Sequence, residues 1–436
     1  MNALLDIGII SGPFVIVVYA LAAVAAVLLI AVRPSTKWRR ARWLGTAAVA
    51  LGVGALIGVG LTWLLSDTLN LFGAELTPVV RGWIAVGFAG ILLALVSLWR
   101  ASWRRVIASL LAVLLFAGTT AMSINIDFGQ YPTVRTALGI SSIDGTLPTR
   151  PTASAGDAPT IDSWTPPADL PAKGTAALTD IPGTVSGFTP RQAVVYLPPA
   201  ALVKNPPKLP VLIVMSGQPG TPEDPLVTDK LQQYLDAYAA AHQGLAPIVV
   251  SPDQLGAPDR NPMCIDSAAG GNSATYLTVD VPNWIRGHLN VLDSPAGWGV
   301  GGLSQGGTCA IQLGAAHPEL FSAILDASGE LHPSLGDDAT TIAKGFGGDA
   351  AAFAAAAPSA IMAANAPYAD MFAVFGVGSA DAAYLPGIKT LYADAQAAGM
   401  TATYVESPGS AHDATSWSYV FDKGLTLIAD HWGLNR

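Results

Sequence analysis

Charge is what this sequence has least of. Lys, Arg, Asp and Glu make up 12% of its 436 residues, against roughly 25% in ordinary soluble domains. Cysteine is scarcer still. Its two residues, Cys264 and Cys309, exclude a four-cysteine zinc site and a disulfide-rich scaffold. Basic side chains are outnumbered, giving a net charge of −9 and a pI near 5.0, which argues against a nucleic-acid partner. Apolar residues fill the gap: they reach 51%, with a mean hydropathy of +0.44, so part of the chain is expected in lipid.

Four long apolar runs come first, at about 9–32, 44–65, 79–99 and 106–124. Each approaches the ~20 residues that cross a bilayer as a helix. One such run could be a buried core helix; four in succession, joined by short loops, read as membrane spans. Arg33, Lys37, Arg39, Arg40 and Arg42 follow the first run, and Arg100, Arg104 and Arg105 follow the third. The loop at 66–77 carries Asp67 and Glu75 and lacks Lys and Arg. The positive-inside rule then puts the two basic loops in the cytoplasm, with the N-terminus and everything after residue 124 outside. Trp38, Trp43, Trp63, Trp99 and Trp103 lie near run ends, where an interfacial aromatic belt is expected. No basic residue precedes the first run and no small-x-small site fits its end, so it does not read as a cleavable signal peptide. No charge sits mid-span, which favours an anchor over an ion pathway or a lipid-handling site.

Residues 123–139 leave the last run with Phe128 and Tyr131. The stretch 144–173 is rich in Pro, Thr, Ala, Gly and Ser. Pro148, Pro151, Pro159, Pro166, Pro167 and Pro171 oppose regular structure there, so a semi-extended tether is expected. From Gly174 onward, strand-like runs alternate with helical spacing. Strands are expected at 191–197, 209–215, 246–250, 297–301, 322–325, 371–375 and 401–405, and helices at 229–241, 281–289, 386–398 and 417–432. The run at 209–215 is apolar almost throughout, as in a strand buried on both faces. The alternation implies a mainly parallel sheet. Three regions follow: an all-α four-helix transmembrane region at 1–125, an extracytoplasmic linker at 126–173 and an α/β domain at 174–436.

Ligands on such sheets sit at the carboxyl ends of the strands. Gly302-Leu303-Ser304-Gln305-Gly306 lies there, between the strand at 297–301 and a helical segment at 308–317. A G-x-S-x-G sequence in a strand–turn–helix setting is a nucleophile elbow, and Gly302 and Gly306 leave the room its strained turn needs. The plain alternative is an ordinary Gly-rich turn. Serine alone is a poor nucleophile; a histidine must take its proton and a carboxylate must fix that histidine's tautomer. Asp381 follows the strand at 371–375 and His412 follows the strand at 401–405, so the order is Ser, Asp, His, as in α/β-hydrolases. Of the six histidines, His242, His288, His317, His332 and His431 fall at helix ends, in an irregular segment or in the final helix. Only His412 lies on a post-strand loop after the acid. Asp326, at the end of the strand at 322–325, is the competing acid. One oxyanion donor is expected from the backbone N–H of Gln305, the residue after the nucleophile.

Four segments carry a family likeness. They are Val195-Tyr196-Leu197-Pro198-Pro199, Gly302-Leu303-Ser304-Gln305-Gly306-Gly307, His317-Pro318-Glu319-Leu320-Phe321, and Pro408-Gly409-Ser410-Ala411-His412 with Trp417. Together they resemble the esterase branch of the α/β-hydrolases that includes esterase D and the actinobacterial mycolyltransferases. The resemblance runs from Gly174 to the end and leaves out the membrane runs. It implies an α/β-hydrolase fold, a mainly parallel sheet flanked by helices, and serine-ester chemistry. It also implies a second oxyanion donor on the loop at 216–220, where Pro219 has no N–H and Gln218 is the residue indicated. The long Ala-rich stretch at 331–370 is expected to cap the acyl group, ordinary helical packing being the alternative. Cys309 starts the elbow helix and Cys264 lies in the loop after 246–250. In an extracytoplasmic compartment they are expected to form a disulfide, the alternative being two buried thiols. No cofactor and no metal are required.

The sequence therefore reads as a membrane-anchored serine esterase of an actinobacterial-type envelope. It would act outside the cytoplasmic membrane on a lipid or cell-envelope ester through an acyl-serine intermediate; an aminoacyl ester on a membrane lipid is one version. The rivals are a mycolyltransferase-like acyltransferase to a sugar or lipid hydroxyl, and a non-catalytic membrane-anchored binding protein that kept the fold.

Overall fold

The computed structural model describes residues 2–69, 76–148, 159–258 and 260–436. Glu75 of the acidic loop and Pro151 of the Pro-rich stretch lie outside the described residues. The chain divides into two compact units, Met1–Ile140 and Ser141–Arg436.

Four long helices dominate the described residues of the first unit: α1 (Pro13–Ala31), α2 (Arg40–Thr62), α3 (Pro78–Val96) and α4 (Trp103–Phe128). Helix α2 continues as a π-helical turn, Trp63–Thr68. The resulting apolar helices of 19 to 29 residues are long enough to cross a membrane, since the bilayer core is about 30 Å thick and each residue rises about 1.5 Å. Pro13 and Pro78 open α1 and α3 at a position where an N–H would have no partner. Gly54 and Gly58, one turn apart, let α2 and α3 touch backbone to backbone. An ideal Cβ on Gly54 would lie 2.6 Å from Ala89 Cα, and one on Gly58 would lie 2.7 Å from Ala85 Cα. This is the small-residue seam by which helices pack in lipid, where hydrophobicity gives no drive to associate.

Two side chains depart from their expected places. Arg105 is buried, and its guanidinium donates to the carbonyls of Leu28 and Leu29 and to Ser97 Oγ. It adds donors to the last turn of α1, where helical N–H partners run out, instead of adding to a surface loop charge. Trp43 is fully buried rather than at the aromatic belt, its indole N–H on the Ile30 carbonyl at 2.9 Å. Trp63, Trp99 and Trp103 are exposed at helix ends.

The second unit is organised around one eight-stranded sheet. Its strands are β1 (Thr175–Thr179), β2 (Ala193–Leu197), β3 (Val211–Met215), β4 (Ile248–Ser251), β5 (Trp298–Leu303), β6 (Ala323–Ala327), β7 (Phe372–Gly378) and β8 (Thr401–Ser407). They run in the order β1-β2-β4-β3-β5-β6-β7-β8. The pairs β1/β2 and β2/β4 are antiparallel, and every pairing from β4 to β8 is parallel. This is the mainly parallel α/β-hydrolase layout expected, with one unexpected edge strand, β1. Strands β2 to β7 are buried at every residue, which explains why they are apolar apart from Ser251 in β4 and Asp326 in β6. The longer helices of this unit include α5 (Leu231–Ala241), α6 (Val281–His288), α7 (Gln305–Ala316), α8 (Leu385–Ala397) and α9 (Ala414–His431).

Part of the stretch expected as a tether belongs to this unit. Ile143 and Trp164 lie in its core, with Leu147, Ile161 and Leu170 packed against it. The Trp164 indole N–H donates to the Gln243 carbonyl at 3.0 Å. Closely spaced prolines oppose regular secondary structure but not burial, and apolar side chains among them dock where a semi-extended tether was expected.

The α2–α3 seam makes a direct prediction. Gly54→Val and Gly58→Val should each lower the thermal midpoint of the membrane unit in detergent. Gly52→Ala, where a Cβ meets nothing within 4 Å, should be neutral or stabilising by up to about 1 kcal/mol. Tryptophan fluorescence during thermal unfolding would report the difference.

Candidate active site

Strand β5 ends at Leu303, and the next residue, Ser304, has φ 51° and ψ −120°. Such a backbone costs a non-glycine residue of order 1–3 kcal/mol and persists only where its surroundings enforce it. Here the Ser304 N–H donates to the Ala327 carbonyl at 2.7 Å, and its carbonyl accepts the Thr308 N–H at 3.0 Å. The flanking glycines have no room for a side chain. An ideal Cβ on Gly302 would lie 2.2 Å from the Gly306 carbonyl oxygen, and one on Gly306 would lie 2.4 Å from the carbonyl oxygens of Met215 and Ser216. The elbow is therefore wedged between the ends of β3 and β6.

Strands β7 and β8 are parallel neighbours, so the loops that leave them emerge side by side. Three hydrogen bonds join those loops: Ser379 N–H to the Ser407 carbonyl at 2.9 Å, Ala380 N–H to the Ser410 carbonyl at 2.8 Å, and Gly409 N–H to Ser379 Oγ at 2.7 Å. Asp381 and His412 sit at the ends of the joined loops. His412 Nδ1 is 3.0 Å from Asp381 Oδ2, and His412 Nε2 is 3.0 Å from Ser304 Oγ. An ionised carboxylate can only accept, so Nδ1 carries the proton and Nε2 is left to accept the serine O–H. Asp381 is 3% exposed, and its second oxygen accepts the Tyr384 N–H at 3.2 Å. The Tyr384 ring stacks on the imidazole at 3.8 Å, and Trp417 meets it edge-on at 5.1 Å. Asp413 caps α9 through the Ser416 N–H and also accepts the Ala411 N–H, holding the chain on both sides of His412.

The other histidines have different partners. His242 packs on Tyr238, His288 on Trp284 and His431 on Phe372; His317 pairs with Glu319 and His332 meets Phe353. Asp326, the competing acid, is fully buried beneath α7. Its Oδ1 accepts the Gly329 N–H at 2.8 Å, and its Oδ2 has no partner among the described residues. Burial pushes this carboxyl up to about 7.

The expected oxyanion residues lie on the two sides of the serine. Gln305 opens α7, so its N–H has no carbonyl one turn back to bond. An ideal Cβ on Gly217 would be 3.4 Å from Ser304 Cβ, so the loop after β3 passes against the nucleophile, with Gln218 next along it. The Gln305 side chain is held by Gln254 and by Asn261, each at 3.1 Å. Cys264 and Cys309 form a disulfide with Cα atoms 5.5 Å apart, joining the loop after β4 to α7. Sequence patterns did not signal Tyr384, Gln254 or Asn261; each acts through contacts distant in the chain. Within 331–370, Pro358–Asn365 packs on α7 and Gln312 Nε2 donates to the Ala356 carbonyl at 3.1 Å. Helical packing therefore accounts for at least this part of the stretch.

A family described as "Putative esterase" matches residues 189–422, more than half of the chain. An uncharacterized protein of Corynebacterium glutamicum is 32% identical, over 77% of this chain and 79% of its own length. That coverage exceeds the second unit alone. Among solved structures, an S-formylglutathione hydrolase from Agrobacterium tumefaciens is similar over 60% of this chain and 97% of its own, with 19% identity and a TM-score of 0.50. A ferulic acid esterase is similar over 61% of this chain and 100% of its own, with 17% identity and a TM-score of 0.49.

The geometry separates the two aspartates by experiment. Ser304→Ala and His412→Ala should each lower kcat by about 10⁵–10⁶, with little further loss in the double variant. Asp381→Asn should cost about 10³–10⁴, and Asp326→Asn should stay within about tenfold of wild type. Wild-type kcat in Asp381→Asn would overturn the pairing. Stability supplies a second readout. Burial raises the Asp326 carboxyl from the ordinary aspartate value of about 3.9 to about 7, so between those pH values the folded state holds a proton that the unfolded state has lost. Stability from this group is greatest in acid and falls as pH rises from about 4 to 7, by at most about 4 kcal/mol in total. Asp326→Asn should remove that slope in denaturant titrations across the same pH range.

Proposed function

Because the chain belongs to the Esterase family and is an esterase-type enzyme, we propose that it is a membrane-anchored serine esterase. In this reading it works outside the cytoplasmic membrane on a lipid or cell-envelope ester. The observation that carries the mechanism is the imidazole of His412, hydrogen-bonded at 3.0 Å to Asp381 on one side and to Ser304 on the other.

Ser304 Oγ attacks the ester carbonyl while His412 Nε2 takes its proton. Asp381 holds the imidazole in the productive tautomer and stabilises the imidazolium. The oxyanion forms between the N–H groups of Gln305 and Gln218. Collapse of the tetrahedral species breaks the bond to the alcohol, which leaves with the proton from His412. The acyl group remains on Ser304. Water, deprotonated by the same nitrogen, then attacks the acyl carbonyl, and the proton returns to Ser304 as the acid departs.

The envelope assignment rests on charge and connectivity. Arg33, Lys37, Arg39, Arg40 and Arg42 on one side, and Arg100 and Arg104 on the other, favour cytoplasmic placement of those two loops. An even number of spans then returns the second unit to the outside. An enzyme tethered there meets membrane esters at a raised effective concentration without any new contact. An aminoacyl ester of a membrane lipid is the specific substrate to try first.

Two measurements test this reading. Protease added to intact spheroplasts should digest the second unit, and full protection would reverse the orientation. The full-length protein and a chain starting at Ser141 should cleave short soluble esters at similar rates in matched liposomes. Only the full-length protein should turn over bilayer-embedded esters efficiently. A folded but inert truncated chain would mean that the membrane helices contribute to the site. Equal rates on bilayer esters would remove the presenting role of the anchor.

A further inference from the structure

Two consecutive residues of the loop after β4, Asp253 and Gln254, are fully buried polar side chains, and the mechanism above uses neither. Gln254 Nε2 donates to the Ser216 carbonyl at 2.7 Å and to Gln305 Oε1 at 3.1 Å. A carbonyl oxygen can only accept, so the nitrogen end of this amide must face Ser216. The Gln254 main chain is held in turn by Ser273 Oγ on its carbonyl at 3.1 Å. Asp253 faces the opposite end of the same neighbouring loop. Its carboxylate accepts the Arg191 backbone N–H at 2.6 Å and two guanidinium N–H groups at 2.9 and 2.6 Å. The Leu255 and Gly256 N–H groups also close on it. Arg191 Nη2, held in that grip, donates to the Gly220 carbonyl at 3.0 Å.

The loop at 216–220 is thus tied at both ends, at Ser216 by Gln254 and at Gly220 by Asp253 acting through Arg191. Between those ties lie Gly217, against Ser304, and Gln218. The same Gln254 amide also grips the side chain of Gln305, whose backbone N–H is the other expected donor. Gln305 Nε2 in turn donates to Asn261 Oδ1 at 3.1 Å and approaches Cys309 Sγ at 3.2 Å. One further observation marks this amide. Gln254 Oε1 is buried without a partner among the described residues. A buried carbonyl left unpaired is unfavourable, so among the described residues the amide is held by its nitrogen end alone.

We propose that Asp253 and Gln254 are positioning residues for the oxyanion site, setting the Gln218 and Gln305 N–H groups on a common point beside Ser304. This rests on the esterase mechanism proposed above and extends it to residues that touch neither substrate nor nucleophile. An oxyanion donor acts only when it is aimed at where charge develops, so a misaimed donor costs transition-state stabilisation and leaves ground-state binding intact.

The test uses the full-length protein in detergent, with Gln254→Leu as the main variant. Four quantities are read: kcat and KM on a soluble ester, the thermal midpoint, the affinity of a trifluoromethyl ketone that forms a tetrahedral adduct on a serine, and inhibition by the carboxylic acid product. The expected result is a fall in kcat of about 30- to 1,000-fold, with KM within about threefold. Affinity for the ketone should fall in the same proportion, while inhibition by the acid and the pH profile stay as in wild type. A folded Gln254→Leu with wild-type kcat overturns the proposal. So does a lowered thermal midpoint with unchanged ketone affinity, the signature of a purely structural residue. If Gln254→Leu does not fold, Arg191→Lys decides in its place. Lysine keeps the charge but loses the planar fork that grips Asp253 through two nitrogens while reaching Gly220, so the same signature is expected, and wild-type kinetics would overturn the proposal. Failure of folded wild-type protein to turn over any ester would instead overturn the esterase mechanism and the positioning role with it.

Discussion

A serine held at φ 51° and ψ −120° is the constraint on which the rest of the second unit depends. The chain does not rest there by itself; the ends of β3 and β6 and the first turn of α7 must press around it. That pressure accounts for the glycines. Gly306 carries no Cβ because the last carbonyls of β3 lie against it, and Gly302 carries none because Gly306 does. The same close approach brings the loop after β3 against Ser304. A nucleophile and its expected oxyanion loop are therefore consequences of one packing arrangement. The cost, of order 1–3 kcal/mol, is offset by the burial of an eight-stranded sheet whose strands β2 to β7 are covered on both faces.

Two aspartates at the ends of neighbouring strands show how environment divides equivalent chemistry. Asp326 is the last residue but one of β6, and Asp381 follows the neighbouring parallel strand β7. Asp381 accepts hydrogen bonds from the imidazole and from the Tyr384 N–H. Asp326 faces a single N–H beneath α7, and desolvation raises its pKa. The hydrogen bonds between the two loops that leave β7 and β8 deliver His412 to one carboxylate and not to the other.

The membrane unit is built on a different principle. Its four apolar helices are long enough to cross a membrane, and helices in lipid gain little from hiding apolar surface, because lipid is as apolar as their side chains. Association comes from close backbone contact at Gly54 and Gly58 and from polar groups that finish helix ends. Arg105 on the last carbonyls of α1 and the Trp43 indole on Ile30 are the clearest cases. Both residues look like interface features when only their place in the chain is known.

Much of this was legible in the residues themselves. Span length, the parallel sheet and the Gly-x-Ser-x-Gly turn follow from forces acting on consecutive residues: bilayer thickness, the unbroken apolar character of a strand buried on both faces, and steric room at a strained φ. The order of Ser304, Asp381 and His412 could be read because ligands gather at the strand ends of a parallel sheet. The boundaries of the expected strands were close; the edge strand β1 and the two-residue antiparallel pair Asp266–Ser267 and Gly271–Asn272 escaped. What the chain order could not decide was which side chains would meet. The choice of Asp381 over Asp326, the joining of Cys264 to Cys309, the burial of Arg105 and Trp43, the docking of Trp164 and the grip of Gln254 on both sides of the serine all depend on which strands become neighbours and which polar groups lose water. Desolvation and long-range contact belong to the assembled fold, so only the tertiary structure could decide them.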